Sequence, residues 1–502
     1  MKYERLAGIL LHPTSLPSIF GIGDLGPGAR LFVDFLKKNN VTWWQTLPLN
    51  PPGFGESPYQ SFSVFAMNEL LISPEILVQD KLLTAKDIKR VPSFDNLSVD
   101  FEKVKPFKYH LFEKAFNRFK VTSKPTDWAQ FKDDNEYWLE DYCTFIAIKN
   151  YFNGVQWQEW DENISMREPG IVEYYQGVLY EEIEYQTFLQ YTAHKQWISL
   201  KTYANENNVK LMGDLPIFVS ADSSDTWAKR EYFALDEKGI PNKISGVPPD
   251  YFSEKGQLWG NPHYIWEEIK KNDFLWWRKR IELLFQLNDA VRIDHFRGFE
   301  SYWEIAGDAK DASIGSWIKA PGRELFESIK RQMGDLSIVA EDLGYITPEV
   351  QHLKEIFGFP GMKVLQFAFD KESEDGFLPK TFEKKSIIYT GTHDNDTTVG
   401  FYKDLEKEST EEFERILETL NLSPDDGSNA FCWKMISVAM ESSSMFAIIP
   451  MQDLLLLDSR HRMNIPNTIG ENWLFRFQWS QLSSENEERF RNMIKQSGRL
   501  QK

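Results

Sequence analysis

Three short apolar runs, each ending in a carboxylate, constrain this chain more than any other feature. They are Ala290 to His295 (AVRIDH), Ile338 to Asp342 (IVAED) and Ile387 to Asp394 (IIYTGTHD). Each reads as a buried parallel strand, because strands covered on both faces run apolar without alternation. In a closed α/β barrel, side chains at the C-terminal ends of several strands converge on one site. Two or three carboxylates meeting there, with Arg and His beside them, point to glycosidic-bond chemistry.

Eight stretches have strand character: 8–11, 41–48, 209–214, 290–295, 338–341, 362–367, 386–390 and 445–450. That number suits a TIM (β/α)8 barrel with large, mainly helical inserted subdomains. The runner-up is an open doubly wound sheet with a separate helical domain. We expect residues 1–502 to form a single catalytic barrel, with a helical insertion at 51–207 after the second strand. A second insertion is expected at 216–288. Within it, 246–260 is punctuated by Gly and Pro and reads as a loop. A helix follows, with Phe274, Trp277, Ile281, Leu284 and Phe285 at helical spacing.

The formal net charge of -18 disfavours nucleic acid and anionic membrane as partners, since both need a concentrated basic surface. A neutral substrate is the easier match. Aromatics reach 15% of residues, an excess that suits stacking on sugar rings as well as core packing. Only two cysteines occur, Cys143 and Cys432, without metal-ligand spacing, so no disulfide framework or zinc site is expected. The N-terminal residues lack a signal peptide pattern, and no apolar run is long enough to span a bilayer. A soluble, cytoplasmic protein is expected.

Gly21 to Gly26 (GIGDLG) fits the dinucleotide fingerprint G-x-G-x-x-G, but no acid stands about twenty residues on to hold a ribose. A tight loop is the better reading. Asp294 is the strongest candidate acid. Arg292, two residues earlier on the same strand face, would keep it ionised and oriented, as a nucleophile requires; the alternative is a structural Arg–Asp pair capping a strand. Glu341, partly buried near other carboxylates, should have a raised pKa, as a general acid needs. His393 and Asp394 could grip sugar hydroxyls as donor and acceptor, or form an ordinary Asx-type turn. Asp214 reads as a hydroxyl binder or structural partner. Neither H-E-x-x-H nor an EF-hand loop is present, so no metal or other cofactor is expected.

These residues resemble the amylomaltase-type 4-α-glucanotransferases, glycoside hydrolase family 77 of the α-amylase superfamily. The similarity runs from Gly8 to Pro466. It is carried by GILLHPTSLP, Ser57-Pro58-Tyr59, Gly213-Asp214-Leu215-Pro216, GVPPD at 246–250, QLWGNP at 257–262, RIDHFRG at 292–298, AEDLG at 340–344 and GTHDN at 391–395. The resemblance implies a retaining double displacement on α-1,4-glucans, with Asp294 as nucleophile, Glu341 as acid/base and Asp394 as a third, substrate-gripping carboxylate. It implies that Tyr59, Asp214, Trp259, Arg292, His295, His393 and Asn464 bind the flanking sugars. It further implies that 246–260 overhangs the cleft and that no C-terminal β-sandwich follows. A retaining α-glucan hydrolase and a non-catalytic glucan-binding barrel are the alternatives.

Overall fold

The computed structural model describes residues 3–249, 254–368, 382–408 and 410–501. Its strands are β1 (Leu6–Leu10), β2 (Trp43–Gln45), β3 (Lys210–Leu215), β4 (Lys243–Val247), β5 (Gln257–Pro262), β6 (Ala290–Ile293), β7 (Ser301–Ala306), β8 (Gly315–Lys319), β9 (Ile338–Ala340), β10 (Gly361–Val364), β11 (Ser386–Tyr389) and β12 (Phe446–Pro450). Eight of them form one parallel sheet in the order β10-β11-β12-β1-β2-β3-β6-β9. Followed round from β1, this order is the chain order. The two ends of the sheet meet where the Ala340 N–H donates to the Pro360 carbonyl at 2.9 Å. The result is a nearly closed (β/α)8 barrel rather than an open doubly wound sheet.

The strand sequences explain the closure. Every residue of β1, β6, β9, β11 and β12 is buried. Such strands are stable only when covered on both faces, here by barrel interior and outer helices. The first outer helix, Pro27–Lys38, begins with Pro in its first turn and buries Phe32, Val33, Phe35 and Leu36. Phe32 meets Trp44 of the neighbouring segment edge-on, with ring centroids 4.8 Å apart. The glycine motif at 21–26 packs here as a tight loop. The Gly23 N–H donates to the Thr14 carbonyl, and a Cβ on Gly23 would lie 2.0 Å from the Pro13 oxygen.

Between β2 and β3 the chain is helical, including Phe101–Val121, Glu136–Tyr151 and Tyr180–Glu206. Side chains on the last of these helices tie the excursion together and to the barrel. Gln190 exchanges two hydrogen bonds with the Met67 backbone, and Gln196 accepts from the Ser73 N–H at 2.7 Å. Trp197 donates to the Leu287 carbonyl at 2.8 Å.

The segment 246–260 is not simply a loop. Gly246 and Val247 end β4, Gln257–Gly260 lie in β5, and Val247 pairs with Gln257 in an antiparallel register. Asp250, Tyr251, Phe252 and Ser253 lie outside the described residues. The glycine that suggested a loop serves close strand pairing: a Cβ on Gly246 would lie 2.1 Å from the Gln257 oxygen. β4 and β5 join β7 and β8 in a second, antiparallel sheet of order β5-β4-β7-β8. A short helix, Trp266–Lys270, follows this pair, and the predicted helix spans Leu275–Leu287, with Phe274 just before it at φ 56°. Its fully buried Arg280 donates to the carbonyls of Pro216 and Ile217, bracing the chain that leaves β3.

Among the described residues, the chain beyond β12 carries short helices and Ser484–Gln496, with only a single bridge, Ser98 to Phe475, of β character. No helix among them is long and apolar enough to cross a membrane. The packing at Gly23 is directly testable. Gly23→Ala should cost about 1–3 kcal/mol through overpacking, read as a lower urea midpoint; an unchanged midpoint would show that the 12–16 turn yields freely.

Candidate active site

Sheet register sets the centre of the site. In the β3–β6 pairing, Asp214 stands opposite Arg292. In the β6–β9 pairing, Ile293 stands opposite Ala340, so the next residues, Asp294 and Glu341, leave adjacent strand ends in step. The Arg292 guanidinium forks between two acids, donating from Nη1 to Asp214 Oδ2 at 2.6 Å and from Nη2 to Asp294 Oδ1 at 2.7 Å. Burial works against the Arg292 charge, but Asp214 and Asp294 outweigh it and hold its pKa above the ordinary guanidinium value. Asp214 is fully enclosed, whereas the Asp294 side chain keeps 29% exposure toward the cleft. Burial raises the Asp294 pKa, and Arg292 opposes that rise.

Among the described residues, no cation is in hydrogen-bond contact with Glu341. Its Oε2 accepts from the His295 N–H at 2.7 Å and its Oε1 from the Leu343 N–H at 3.0 Å. Burial first, and then the charge of Asp294, push its pKa up to about 7, with Arg292 and the two N–H groups partly offsetting. Its neighbour Asp342 has a different task, bonding Lys354 Nζ at 2.6 Å and the Met362 N–H at 2.7 Å.

His295 adopts φ 50°, in the left-handed region that a non-glycine residue enters at a cost. Its ring lies edge-on to Trp259, centroids 4.8 Å apart, and its buried Nε2 has no partner among the described residues. Burial, helped by Arg297, lowers its pKa to about 3, so the ring is neutral. An unpartnered buried nitrogen facing a tryptophan is a ready contact for a hydroxyl.

The third acid is the most open. Asp394 is 45% exposed, and its Oδ1 accepts from Asn464 Nδ2 at 2.6 Å. His393 Nε2 lies 3.3 Å from its Oδ2. Both turn chemistry and carboxylate presentation occur here, since Asn395 Oδ1 accepts from Thr392 N–H and Oγ1 at 2.9 and 2.8 Å. His393 stacks on Tyr59 with centroids 5.1 Å apart and planes 8° from parallel. The Tyr59 hydroxyl donates to Asp214 Oδ2 at 2.6 Å; burial and then the Asp214 charge raise its pKa, keeping it a donor.

Contacts thus join the ten sequence-selected residues into two neighbouring sets. One runs Asn464–Asp394–His393–Tyr59–Asp214–Arg292–Asp294, and the other is Glu341–His295–Trp259. The structure adds residues that sequence reasoning missed. Gln60 donates to the Trp259 carbonyl at 3.1 Å, Arg462 to the Asp394 carbonyl at 2.8 Å, and Trp473 packs beside Tyr59 and His393. Buried Asp453 accepts from Thr390 Oγ1, Thr398 N–H and Thr398 Oγ1, anchoring the segment that carries His393 and Asp394. Adjacency to the Ser57-Pro58-Tyr59 motif was the one signal available for Gln60.

Residues 11–482 match the sequence pattern of glycoside hydrolase family 77, described as 4-alpha-glucanotransferase. The chain belongs to the 4-alpha-glucanotransferase family. Relatives bearing that description include a protein of Synechocystis sp., 45% identical over 96% of each chain, and one of Thermus thermophilus, 41% identical over the full length of both. Among solved structures, the amylomaltase from Streptococcus agalactiae in complex with acarbose superposes with TM-score 0.94 at 38% identity, covering 99% of this chain and 100% of that one. The glucanotransferase reading therefore stands over the hydrolase and the non-catalytic barrel.

The raised Glu341 pKa makes a stability prediction for this glucanotransferase. A carboxyl whose folded pKa, about 7, lies above its unfolded value binds its proton more tightly when folded, so stability falls as pH rises between the two. Glu341→Gln removes the charge. The stability difference between variant and wild type should shift in the variant's favour from pH 4.5 to pH 8 in thermal melts; a pH-independent difference would contradict the assignment.

Proposed function

We propose that transfer runs by a retaining double displacement on α-1,4-glucans, with Asp294 as nucleophile and Glu341 as acid/base. The observation that carries this reading is the asymmetry between the two acids. Asp294 is tied to a buried guanidinium, while Glu341 accepts from two backbone N–H groups and sits near pKa 7. Different partners for the two carboxyls, a guanidinium for one and amide N–H groups for the other, suit one to be the nucleophile and the other the proton donor.

In the first step an Asp294 oxygen bonds to the anomeric carbon as the C1–O bond to the leaving glucan breaks. The Glu341 proton passes to that leaving oxygen. In the second step a hydroxyl of an acceptor glucan attacks the anomeric carbon, its proton returns to Glu341, and the Asp294–carbon bond breaks. Two inversions give net retention. Asp394, oriented by Asn464 and His393, accepts from hydroxyls of the distorted sugar. Asp214, Arg292, His295, Tyr59 and Trp259 hold the flanking units, and the Tyr59 and Trp259 rings shield the intermediate from water.

Maltooligosaccharides and longer α-1,4-glucans are the proposed substrates, with neither nucleic acid nor membrane as partner and no cofactor required. The cytoplasm is the proposed location, in keeping with two buried free thiols; burial pushes Cys143 up to about 12.

Incubation with pure maltotriose should yield glucose together with a ladder of longer oligosaccharides, whereas glucose and maltose alone would mark a hydrolase. Asp294→Asn should abolish the ladder while leaving the fold intact. Glu341→Gln should lower kcat by roughly 10²–10⁴-fold. In the wild type, kcat/KM should fall as pH rises through about 7, where Glu341 loses its proton; a flat profile there would remove it as the acid. Trp259→Ala should raise glucose release by water relative to transfer, and an unchanged product ratio would dismiss the shielding role.

A further inference from the structure

The helical excursion between β2 and β3 carries a surface that the catalytic reading does not use. The short helix Ile171–Val178 has no buried residue, and it presents Tyr174 at 60% and Val178 at 57% exposure. Tyr151, at 56%, and Tyr180, at 65%, stand beside it. The rings of Tyr151, Phe152, Tyr174 and Tyr175 form a continuous group, and Tyr180 follows Val178 by two residues along the chain. Tyr175 lies 5.8 Å from Tyr151 and 5.5 Å from Tyr174 by centroids, and Phe152 joins Tyr151 and Tyr175 to Trp160 beneath.

This group rests on a rigid base. Trp160 belongs to a small core with Phe145, Trp157, Ile164 and Trp227, separate from the main barrel core. Trp227 donates to the Ile164 carbonyl at 3.0 Å, and Trp157 to the Ala221 carbonyl at 2.8 Å. Phe152 and Tyr175 pack against this core and support Tyr151 and Tyr174 by ring contact, so these rings lose little freedom when they bind.

The margin of the patch says what fits it. Gln176 Nε2 donates to Glu140 at 3.0 Å, and Asn150 Nδ2 to Glu182 at 3.2 Å, so carboxylate–amide pairs border the rings. Asp161 and Glu173 add further negative charge, on a chain of net charge -18. A phosphate-rich ligand is repelled here, and a second copy of this face would bring like charges together. A neutral polyol meets no such penalty: tyrosine rings cover its C–H faces, while phenols, amides and carboxylates take its hydroxyls.

We propose that this patch is a second α-glucan-binding site, sharing no residue with the cleft, which holds a polymeric chain while its end is processed. The proposal rests on the glucanotransferase reading for its ligand class.

The test compares the wild type with a triple variant, Tyr151→Ala, Tyr174→Ala and Tyr180→Ala. All three side chains are exposed, and matching thermal melts verify the fold. Binding is read without turnover, in an Asp294→Asn background, as retardation in native gels containing amylose, with saturating maltotriose occupying the cleft. We expect retardation to be lost in the triple variant. In the active enzyme, KM for long amylose should rise by roughly fivefold, as loss of stacking contacts predicts, with maltotriose kcat/KM unchanged. Equal retardation and equal KM would overturn the proposal. So would a wild-type dimer that the three changes dissociate, which would assign the face to a second copy. Failure of the wild type to disproportionate maltotriose would instead strike the glucanotransferase reading, and the gel measurement separates the two.

Discussion

The geometry of the site depends on one buried cation. Arg292 lies almost wholly out of water, where an isolated charge costs several kcal/mol even after relaxation. It is tolerable only because both arms of the guanidinium end on carboxylates. That requirement works in both directions. Asp214, enclosed within β3, needs Arg292 as much as Arg292 needs it, and the Tyr59 hydroxyl completes the set. Strand register decides whether the pairing exists at all, since a shift of one residue between β3 and β6 would turn the partners to opposite faces. The orientation of Asp294 is thus inherited from the hydrogen-bond ladder of the barrel rather than from a loop.

The second acid gains its character from what it lacks. Glu341 sits one strand over, within the field of Asp294 and, among the described residues, without a hydrogen-bonded cation of its own. Two backbone N–H groups hold its position without fixing its charge. One belongs to His295, whose left-handed backbone stands directly after Asp294. A strained residue thereby links the two acids mechanically, and the β6–β9 ladder, with the packed Phe296 beyond, keeps it in place.

Much of this was legible in the sequence, for physical reasons. Barrel strands buried on both faces leave an unbroken apolar signature, and an acid that closes such a run stands out, as Asp294 and Glu341 do. Partnerships across the chain left no local trace. Tyr59 and His393 stack although more than three hundred residues separate them, and nothing near either predicts it. β7 and β8 leave no unbroken apolar run, since β7 mixes buried with partly or fully exposed residues and β8 is partly or fully exposed throughout, and the Gly246 segment resembles a loop because glycine signals both turns and close strand approach. The helix Tyr180–Glu206 shows little amphipathic period because it packs on several sides, with Gln186, Gln190 and Gln196 buried among apolar residues.

The ring order of the barrel carries a consequence for how the chain is made. β1 pairs on one side with β2, which follows within forty residues, and on the other with β12, which arrives only at Phe446. Throughout synthesis of everything between, one edge of β1 has no mate, and Leu6 to Leu10 present an apolar, unpaired strand of the kind that recruits foreign strands. Arg499, which clasps the carbonyls of Leu6 and Met445, comes later still. Of the barrel's parallel pairings, the one between β1 and β12 spans the longest stretch of chain, so closure of the ring depends on its two most distant strands.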